Sequence, residues 1–122
     1  MTLFNEMGLN PEIQQSIGEL GFEKPTPIQE KTIPFLLKSK QDMVALAQTG
    51  TGKTAAFGVP IIQQIDSSAN HPQALILSPT RELAMQIAQD LSDFALHLPH
   101  IRIGVVYGGA DIQKQMKQLE KG

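Results

Sequence analysis

The sequence predicts an α/β fold in which a mostly parallel sheet is flanked by helices. Three short apolar runs of strand type, at 43–46, 74–77 and 101–106, alternate with segments of helical periodicity. The run at 74–77 is continuously apolar, which is typical of a strand buried on both faces. This alternation is typical of parallel sheets, because the crossover between two parallel strands is usually a helix. With 122 residues, of which 41% are hydrophobic, the chain can bury one modest core, so we expect one domain or part of one.

Two helices are predicted before the first strand. The first, at 11–20, follows Asn10, and the second, at 27–37, follows Thr26. Each of these capping residues precedes a proline, which is favoured at the first helical position because its missing N–H has no partner there. A kink is expected at Pro34 in the second helix.

Three further helices are predicted after the strands. One begins at Lys53 and runs toward Ile65. A long amphipathic helix begins behind Thr80, because apolar residues recur at spacings of three and four as far as Leu98. The last helix is capped by Asp111.

The composition limits the kinds of site that the chain can carry. Without cysteine it has no disulfide and no thiolate metal site. A net charge of −2 gives no bulk attraction for nucleic acid, so any nucleic-acid contact must be local. The start of the sequence lacks the pattern of a signal peptide, and no apolar segment approaches the length of a membrane span, so we expect a cytoplasmic protein with no membrane contact. The three histidines lack partners at ligand spacing and predict no metal site.

The most informative segment is the glycine-rich loop AQTGTGKT at 47–54, directly after the first strand. A glycine-rich turn that enters a helix points backbone N–H groups at a phosphate, and the helix start adds the positive end of its dipole. Lys53 would neutralise phosphate charge, and the Thr54 hydroxyl would bind Mg²⁺. The loop therefore predicts a nucleotide-binding site, although Ala47 stands where the general GxxxxGK[ST] pattern has glycine.

Two polar patterns have simple structural interpretations. Thr26 and Gln29 have the spacing of a capping box, in which the glutamine side chain reaches back to a backbone N–H. On the last helix, Gln115 lies among lysines and other glutamines, a pattern typical of a solvated helix face.

The segment PTRELA at 79–84 has the pattern of a strand end followed by a helix start. Backbone amides and Thr80 would face outward there beside the cationic Arg81, which makes an anion site. Gly108 and Gly109 lie at another predicted strand end, where the backbone carries no side chains. The simpler alternatives are a plain helix cap, a solvated or glutamate-paired arginine, and an ordinary turn.

Together, five segments resemble the first half of a DEAD-box ATP-dependent RNA helicase. In chain order they are Phe4, GFEKPTPIQ at 21–29, AQTGTGKT at 47–54, PTRELA at 79–84 and the glycine pair at 108–109. The alanine that begins the loop is the residue that this family uses. The resemblance covers nearly the whole chain and implies a partial RecA-like P-loop NTPase domain, truncated before the Walker B strand.

The resemblance also implies a domain division and residue roles. Residues 1–40 would form the N-terminal helical Q-motif region, and 41–122 the first half of the RecA-like helicase ATP-binding domain 1. Gln29 would hydrogen-bond the adenine edge, whose donor and acceptor an amide matches. The implied ATP-binding residues are Phe4, Phe22, Lys24, Thr26, Gln29, Ala47, Gln48, Thr49, Gly50, Thr51, Gly52, Lys53 and Thr54, of which Lys53 and Thr54 would be catalytic and Thr54 would hold Mg²⁺ through the nucleotide. The implied RNA-binding residues are Pro79, Thr80, Arg81, Gly108 and Gly109, through sequence-independent backbone contacts.

The DEAD and SAT motifs of the family do not occur in the sequence. We therefore expect weak binding of adenine nucleotide with negligible hydrolysis, and we expect exposed sheet edges to favour self-association. Two alternatives stay open. The chain could be another P-loop NTPase, such as a kinase or a DNA-directed motor, or a non-catalytic self-associating module.

Overall fold

A computed structural model describes residues 3–48, 50 and 52–122 of the chain. These residues form a short 3-10 helix, Phe4–Glu6, and five α-helices. The α-helices are α1 (Pro11–Glu19), α2 (Pro27–Lys38), α3 (Lys53–Gln63), α4 (Arg81–Phe94) and α5 (Ile112–Glu120).

Local capping explains where most helices begin, as predicted. The Thr80 side chain accepts a hydrogen bond from the backbone N–H of Leu83 (3.1 Å) at the start of α4. The Asp111 carboxylate accepts from Gln113 N–H (3.0 Å) at the start of α5. Asn10 precedes α1 but makes no side-chain cap, so the proline at the first position carries the start of that helix.

The core lies where α3 packs between α2 and α4, with α1 against α4. Ile13 of α1, Ile33 of α2 and Val59 of α3 are completely buried. Gly58 of α3 is buried against Leu91 of α4, where a methyl group would collide with the leucine side chain. The absence of a side chain at this glycine therefore sets how closely α3 and α4 approach.

The predicted α/β fold, with a mostly parallel sheet flanked by helices, is wrong for this structure. The segments 43–46, 74–77 and 101–106 carry no strand pairing, and no strand occurs elsewhere in the described part of the chain. The apolar runs correctly indicate segments that differ from the helices. However, a strand exists only if a second segment supplies its ladder hydrogen bonds, and none of the three does so for another.

The exposure of these segments follows from the missing pairing. Val44 and Leu46 are each 89% exposed, and Leu75 and Leu77 are 80% and 85% exposed. In these two segments only Ile76 packs against the core, whereas Ile101 and Ile103 of the third segment pack there as well. The prediction that 74–77 is buried on both faces is therefore also wrong.

Two helix ends differ from the sequence prediction. The long amphipathic helix ends at Phe94 rather than near Leu98, although Leu98 is buried just beyond it. Pro60 lies inside α3, which ends at Gln63. No helix in the described ranges is both long and apolar enough to cross a membrane.

Candidate nucleotide and nucleic-acid site

Gln29 connects the start of α2 to the glycine-rich loop. Its side chain is fully buried, with 0% exposure. Its Oε1 accepts a hydrogen bond from Thr26 N–H (3.0 Å), which completes the predicted capping box. Its Nε2 donates to the carbonyl oxygen of Gly52 (3.1 Å), 23 residues further along the chain. One amide group therefore joins the two segments that the sequence analysis assigns to adenine and to phosphate.

Gly52 is shaped by this contact. Its φ of +80° lies in the left-handed region, which disfavours any residue with a side chain. A Cβ on Gly52 would also collide with Nε2 of Gln29. Its carbonyl oxygen accepts a second hydrogen bond, from Ala56 N–H (3.2 Å) in the first turn of α3. This position therefore requires glycine both for its backbone angle and for the close approach of Gln29.

Thr32 forms a second bridge between α2 and α3, which the sequence analysis missed. Its hydroxyl lies 2.8 Å from the carbonyl oxygen of Ile28 and 3.2 Å from that of Ala56. Thr32 is buried and follows Gln29 by one helical turn, so both polar side chains face α3. A polar pair at that spacing within an apolar helix face is the signal that could have predicted it.

The loop presents groups suited to a phosphate at the start of α3. Gly50 also has a positive φ, +78°. Lys53 is exposed at the first position of α3, and Thr54, half-buried, follows it. The first N–H groups of a helix have no partner within the helix, so they add donors at this end. Ala47 is half-buried and Gln48 exposed. Thr49 and Thr51 lie outside the described residues.

A cavity of about 510 Å³ lies beside the loop, between α2 and the segment 43–48. Lys31 and Thr32 of α2 line one side of it, and Ala47 and Gln48 line the other. This cavity therefore adjoins the side of the glycine-rich loop that faces α2.

The two predicted aromatic residues lie together but apart from the Gln29 amide. Phe4 is buried in the 3-10 helix, whereas Phe22 is 40% exposed. Both line a cavity of about 210 Å³ against α1, and Gln29 is not among the described residues that line it. The Phe22 ring also packs against Phe94 of α4, with ring centroids 6.2 Å apart. Lys24, two residues after Phe22 in the sequence, is exposed.

The predicted anion site does bring Arg81 and the glycine pair together. Nη2 of Arg81 donates to the carbonyl oxygen of Gly108 (3.2 Å). A Cβ on Gly109, where φ is +86°, would lie 3.6 Å from the same nitrogen. Thr80 caps the helix that begins at Arg81, and Pro79 precedes it, exposed. In the described structure Arg81 thus contacts backbone rather than standing free or pairing with a glutamate.

Two residues near this site were missed by the sequence analysis. The Tyr107 ring lies under the Arg81 guanidinium, with 4.9 Å between Cζ and the ring centroid. Gln115 of α5 accepts from Tyr107 N–H (2.9 Å) and donates to the Tyr107 carbonyl oxygen (3.2 Å). Gln115 is therefore not simply part of a solvated face. An aromatic residue directly before a glycine pair is the signal that could have predicted this contact.

One titratable pair joins α1 to the turn after α4. Nε2 of His97 lies 2.8 Å from a carboxylate oxygen of Glu19. This hydrogen bond, with a second one from Gln15, lowers the pKa of Glu19 below its ordinary value of 4.5. The pair therefore adds a link between α1 and the segment that follows α4, the helix that α1 packs against.

Comparison with known proteins places these features in a family. Residues 26–122 match the family model described as DEAD/DEAH box helicase. The chain is 52% identical over 121 residues to the ATP-dependent RNA helicase CshA of Listeria monocytogenes. The matched region covers 99% of this chain and 23% of that relative. The chain thus spans about a quarter of that relative's length.

Solved structures give the same result. The crystal structure of a DEAD box protein from Methanococcus jannaschii superposes with a TM-score of 0.86 at 38% identity, over 99% of this chain and 33% of that one. S. cerevisiae Dbp5 bound to RNA and ADP BeF3 superposes with a TM-score of 0.76 at 38% identity, over 80% of this chain and 25% of that one. Because the family model covers most of the sequence, this chain belongs to the DEAD/DEAH box helicase family.

Proposed function

We propose that this chain is the ATP-binding N-terminal portion of a DEAD-box RNA helicase that couples ATP hydrolysis to RNA unwinding or to remodelling of RNA–protein complexes. The observation that carries the proposal is the Gln29 side chain, whose amide joins Thr26 to Gly52. It connects the segment proposed for adenine to the loop proposed for phosphate. The names of the relatives, an ATP-dependent RNA helicase and a protein bound to RNA and ADP BeF3, support the same activity.

The phosphate end of the site would be formed by residues 47–54. The positive φ angles of Gly50 and Gly52 let backbone N–H groups face a phosphate, and Lys53 is exposed to neutralise its charge. The Thr54 hydroxyl would hold Mg²⁺ through the nucleotide, and the ion would supply charge neutralisation between phosphate oxygens. The loop N–H groups, Lys53 and Thr54 together suit a nucleoside triphosphate with its metal ion.

The adenine end of the site would require a local opening. The Gln29 amide has two donor hydrogens and two acceptor lone pairs, of which Gly52 and Thr26 take one each. The remaining donor and acceptor match an adenine edge, but the side chain is 0% exposed. We propose that nucleotide binding moves the start of α2 or the segment near Lys24 enough to expose this amide, with Phe4 and Phe22 closing on the base.

RNA would bind at the start of α4. Pro79, Thr80, Arg81, Gly108 and Gly109 would contact a phosphate through backbone donors and the guanidinium, without reading the base sequence. The hydrogen bond between Arg81 and Gly108 supports treating these two segments as one site. We also propose that 1–40 is the Q-motif region and 41–122 is part of the ATP-binding domain.

The chain is expected to bind nucleotide weakly and to hydrolyse it negligibly. Hydrolysis needs an acidic group that handles Mg²⁺ and the attacking water. No group of three or more histidine, aspartate or glutamate residues able to hold a metal is found among the residues that the structure describes. Titration of the chain with a fluorescent ADP analogue tests binding, and phosphate release from ATP tests turnover. Turnover that survives purification and disappears in Lys53→Ala would contradict the proposal.

Gln29 separates this proposal from the alternative of another P-loop NTPase. We expect ATP to be preferred over GTP in the unmodified chain and this preference to be lost in Gln29→Ala. The control variant is Gln41→Ala, which removes an exposed glutamine outside the site. Equal affinity for ATP and GTP in the unmodified chain would favour the alternative.

Self-association is a separate proposal, carried by the exposed apolar segments. Val44, Leu46, Leu75 and Leu77 are each at least 80% exposed, and such side chains favour contact between molecules. Sedimentation velocity over a range of protein concentrations tests it. We expect a concentration-dependent increase in sedimentation coefficient that Leu46→Lys and Leu77→Lys reduce, and a compact monomer at every concentration would contradict it.

A further inference from the structure

Arg81 is held by two different groups of the loop before α5. Its Nη2 donates to the Gly108 carbonyl oxygen at 3.2 Å, and its Cζ lies 4.9 Å from the centroid of the Tyr107 ring. The second distance is within the range of a cation–π interaction. A guanidinium has five N–H donors, and Gly108 takes one of them. The contacts therefore fix the direction of the guanidinium while leaving donors that face away from Gly108.

The Tyr107 backbone is held in turn by Gln115. The Tyr107 N–H donates to Oε1 of Gln115 (2.9 Å), and Nε2 of Gln115 donates to the Tyr107 carbonyl oxygen (3.2 Å). A glutamine amide that pairs with both backbone groups of one residue restricts that residue as a neighbouring strand would. Gln115 is half-buried on α5, whose start is itself fixed by the Asp111 cap.

We propose that Gln115 and Tyr107 are positioning residues for Arg81 in RNA binding. Gln115 fixes the backbone of Tyr107, and the Tyr107 ring then holds the guanidinium beside the start of α4, where an RNA phosphate would bind. This inference rests on the proposed function of Arg81. It adds α5 to the site, because a helix with no buried residue of its own then controls an arginine on another helix.

The expected effect follows from the conformational freedom that the arginine loses. A free arginine side chain must be ordered when it binds phosphate, whereas a side chain already held loses less entropy on binding. Removing the Tyr107 ring, or the two hydrogen bonds between Gln115 and the Tyr107 backbone, should therefore weaken RNA binding about two- to tenfold. The loss should depend on Arg81 being present.

The test is a set of variants of the chain titrated with a short fluorescein-labelled oligouridylate and followed by anisotropy. Tyr107→Leu removes the ring, and Gln115→Ala removes the two hydrogen bonds to the Tyr107 backbone. Tyr107→Phe keeps the ring, so it should bind RNA as the unmodified chain does. Gln113→Ala is the matched control, because Gln113 is an exposed glutamine of the same helix whose contact with Asp111 is made by its backbone.

A double-mutant comparison separates positioning from general damage to the fold. Tyr107→Leu should weaken binding in the unmodified chain and have no further effect when Arg81 is replaced by alanine. Variants that also lose cooperative unfolding are replaced by Gln115→Met, which keeps the length of the side chain without adding charge and removes both hydrogen bonds to the Tyr107 backbone. If Tyr107→Leu weakens binding equally with and without Arg81, the inference is overturned.

A measurement without RNA distinguishes failure of the inference from failure of the proposed function. The NMR signal of the Arg81 side-chain N–H group should show a ring-current shift that persists in Tyr107→Phe and disappears in Tyr107→Leu and Gln115→Ala. Absence of that shift in the unmodified chain would overturn the inference whether or not RNA binds. A normal shift together with no RNA binding by the unmodified chain would instead overturn the proposed function of Arg81.

Discussion

Replacing Gly52 by alanine tests the contact on which the nucleotide site depends. The new methyl group would meet Nε2 of Gln29, and the backbone angle of +80° would be strained by any side chain. Strain in the left-handed region costs about 1–2 kcal/mol. Displacing the Gln29 amide loses one hydrogen bond, at about 1 kcal/mol. We therefore expect Gly52→Ala to lower the free energy of unfolding by about 2–3 kcal/mol.

Gly50→Ala is the matched control for this prediction. Gly50 has nearly the same angle, +78°, but among the described residues, its chain neighbours aside, no atom lies within 4 Å of the position that its Cβ would take. Gly50→Ala should therefore lower the free energy of unfolding only by the cost of backbone strain, about 1–2 kcal/mol. Both variants reduce the entropy of the unfolded chain equally, so this effect cancels between them. The difference of about 1 kcal/mol isolates the contact with Gln29.

Urea unfolding followed by circular dichroism measures both losses. In a chain that already carries Gln29→Ala, the excess loss of Gly52→Ala over Gly50→Ala should disappear, because no amide remains to be displaced. Equal losses for Gly52→Ala and Gly50→Ala in the unmodified chain would refute the reasoning, since the close approach of Gln29 would then have no energetic effect.

Three other predictions concern the elements around the site. Thr80→Ala should lower the free energy of unfolding, measured in urea, by about 1 kcal/mol, because it removes the 3.1 Å hydrogen bond from Leu83 N–H to the Thr80 hydroxyl. Thr80→Ser keeps a hydroxyl at this position and should unfold as the unmodified chain does. Gln63→Ala should lower stability by about 1 kcal/mol in the same assay, since its amide bridges the backbone before α1, and an unchanged midpoint would contradict this. Glu19 has a lowered pKa, so its pair with His97 contributes stability above pH 4.5 that is lost as the pH falls through the folded-state pKa. The stability difference between the unmodified chain and His97→Ala should therefore shrink as the pH falls below 4.5, and a constant difference would contradict the assignment.

The features that the sequence predicted correctly are those determined by neighbouring residues. Thr26 and Thr80 cap the helices that follow them because the cap joins groups only three residues apart. The capping box at Gln29 was predictable for the same reason. The family resemblance assigned Arg81 and Gly108 to the same RNA strand, but their direct hydrogen bond, which spans 27 residues, was not predicted.

The features that the sequence did not predict depend on distant partners. The apolar run 74–77 was assigned to a buried strand, but pairing requires a second segment that local periodicity does not identify, and Leu75 and Leu77 are exposed. The second contact of Gln29, with Gly52, spans 23 residues, and nothing near Gln29 in the sequence indicates it. Likewise, the environment of Gln115 indicated only solvent, because Tyr107 becomes its partner through a turn whose geometry the sequence does not specify.

The central claim, that the segment around Gln29 and the glycine-rich loop form one adenine-nucleotide site, is tested most directly by calorimetric titration. ADP and GDP are titrated into the unmodified chain, Lys53→Ala and the control Lys40→Ala, which removes an exposed lysine outside the loop. We expect saturable ADP binding that is at least about tenfold tighter than GDP binding, a difference of about 1.4 kcal/mol. Lys53→Ala should abolish this binding and Lys40→Ala should preserve it. Equal binding of the two nucleotides, or ADP binding that Lys53→Ala leaves unchanged, would contradict the account.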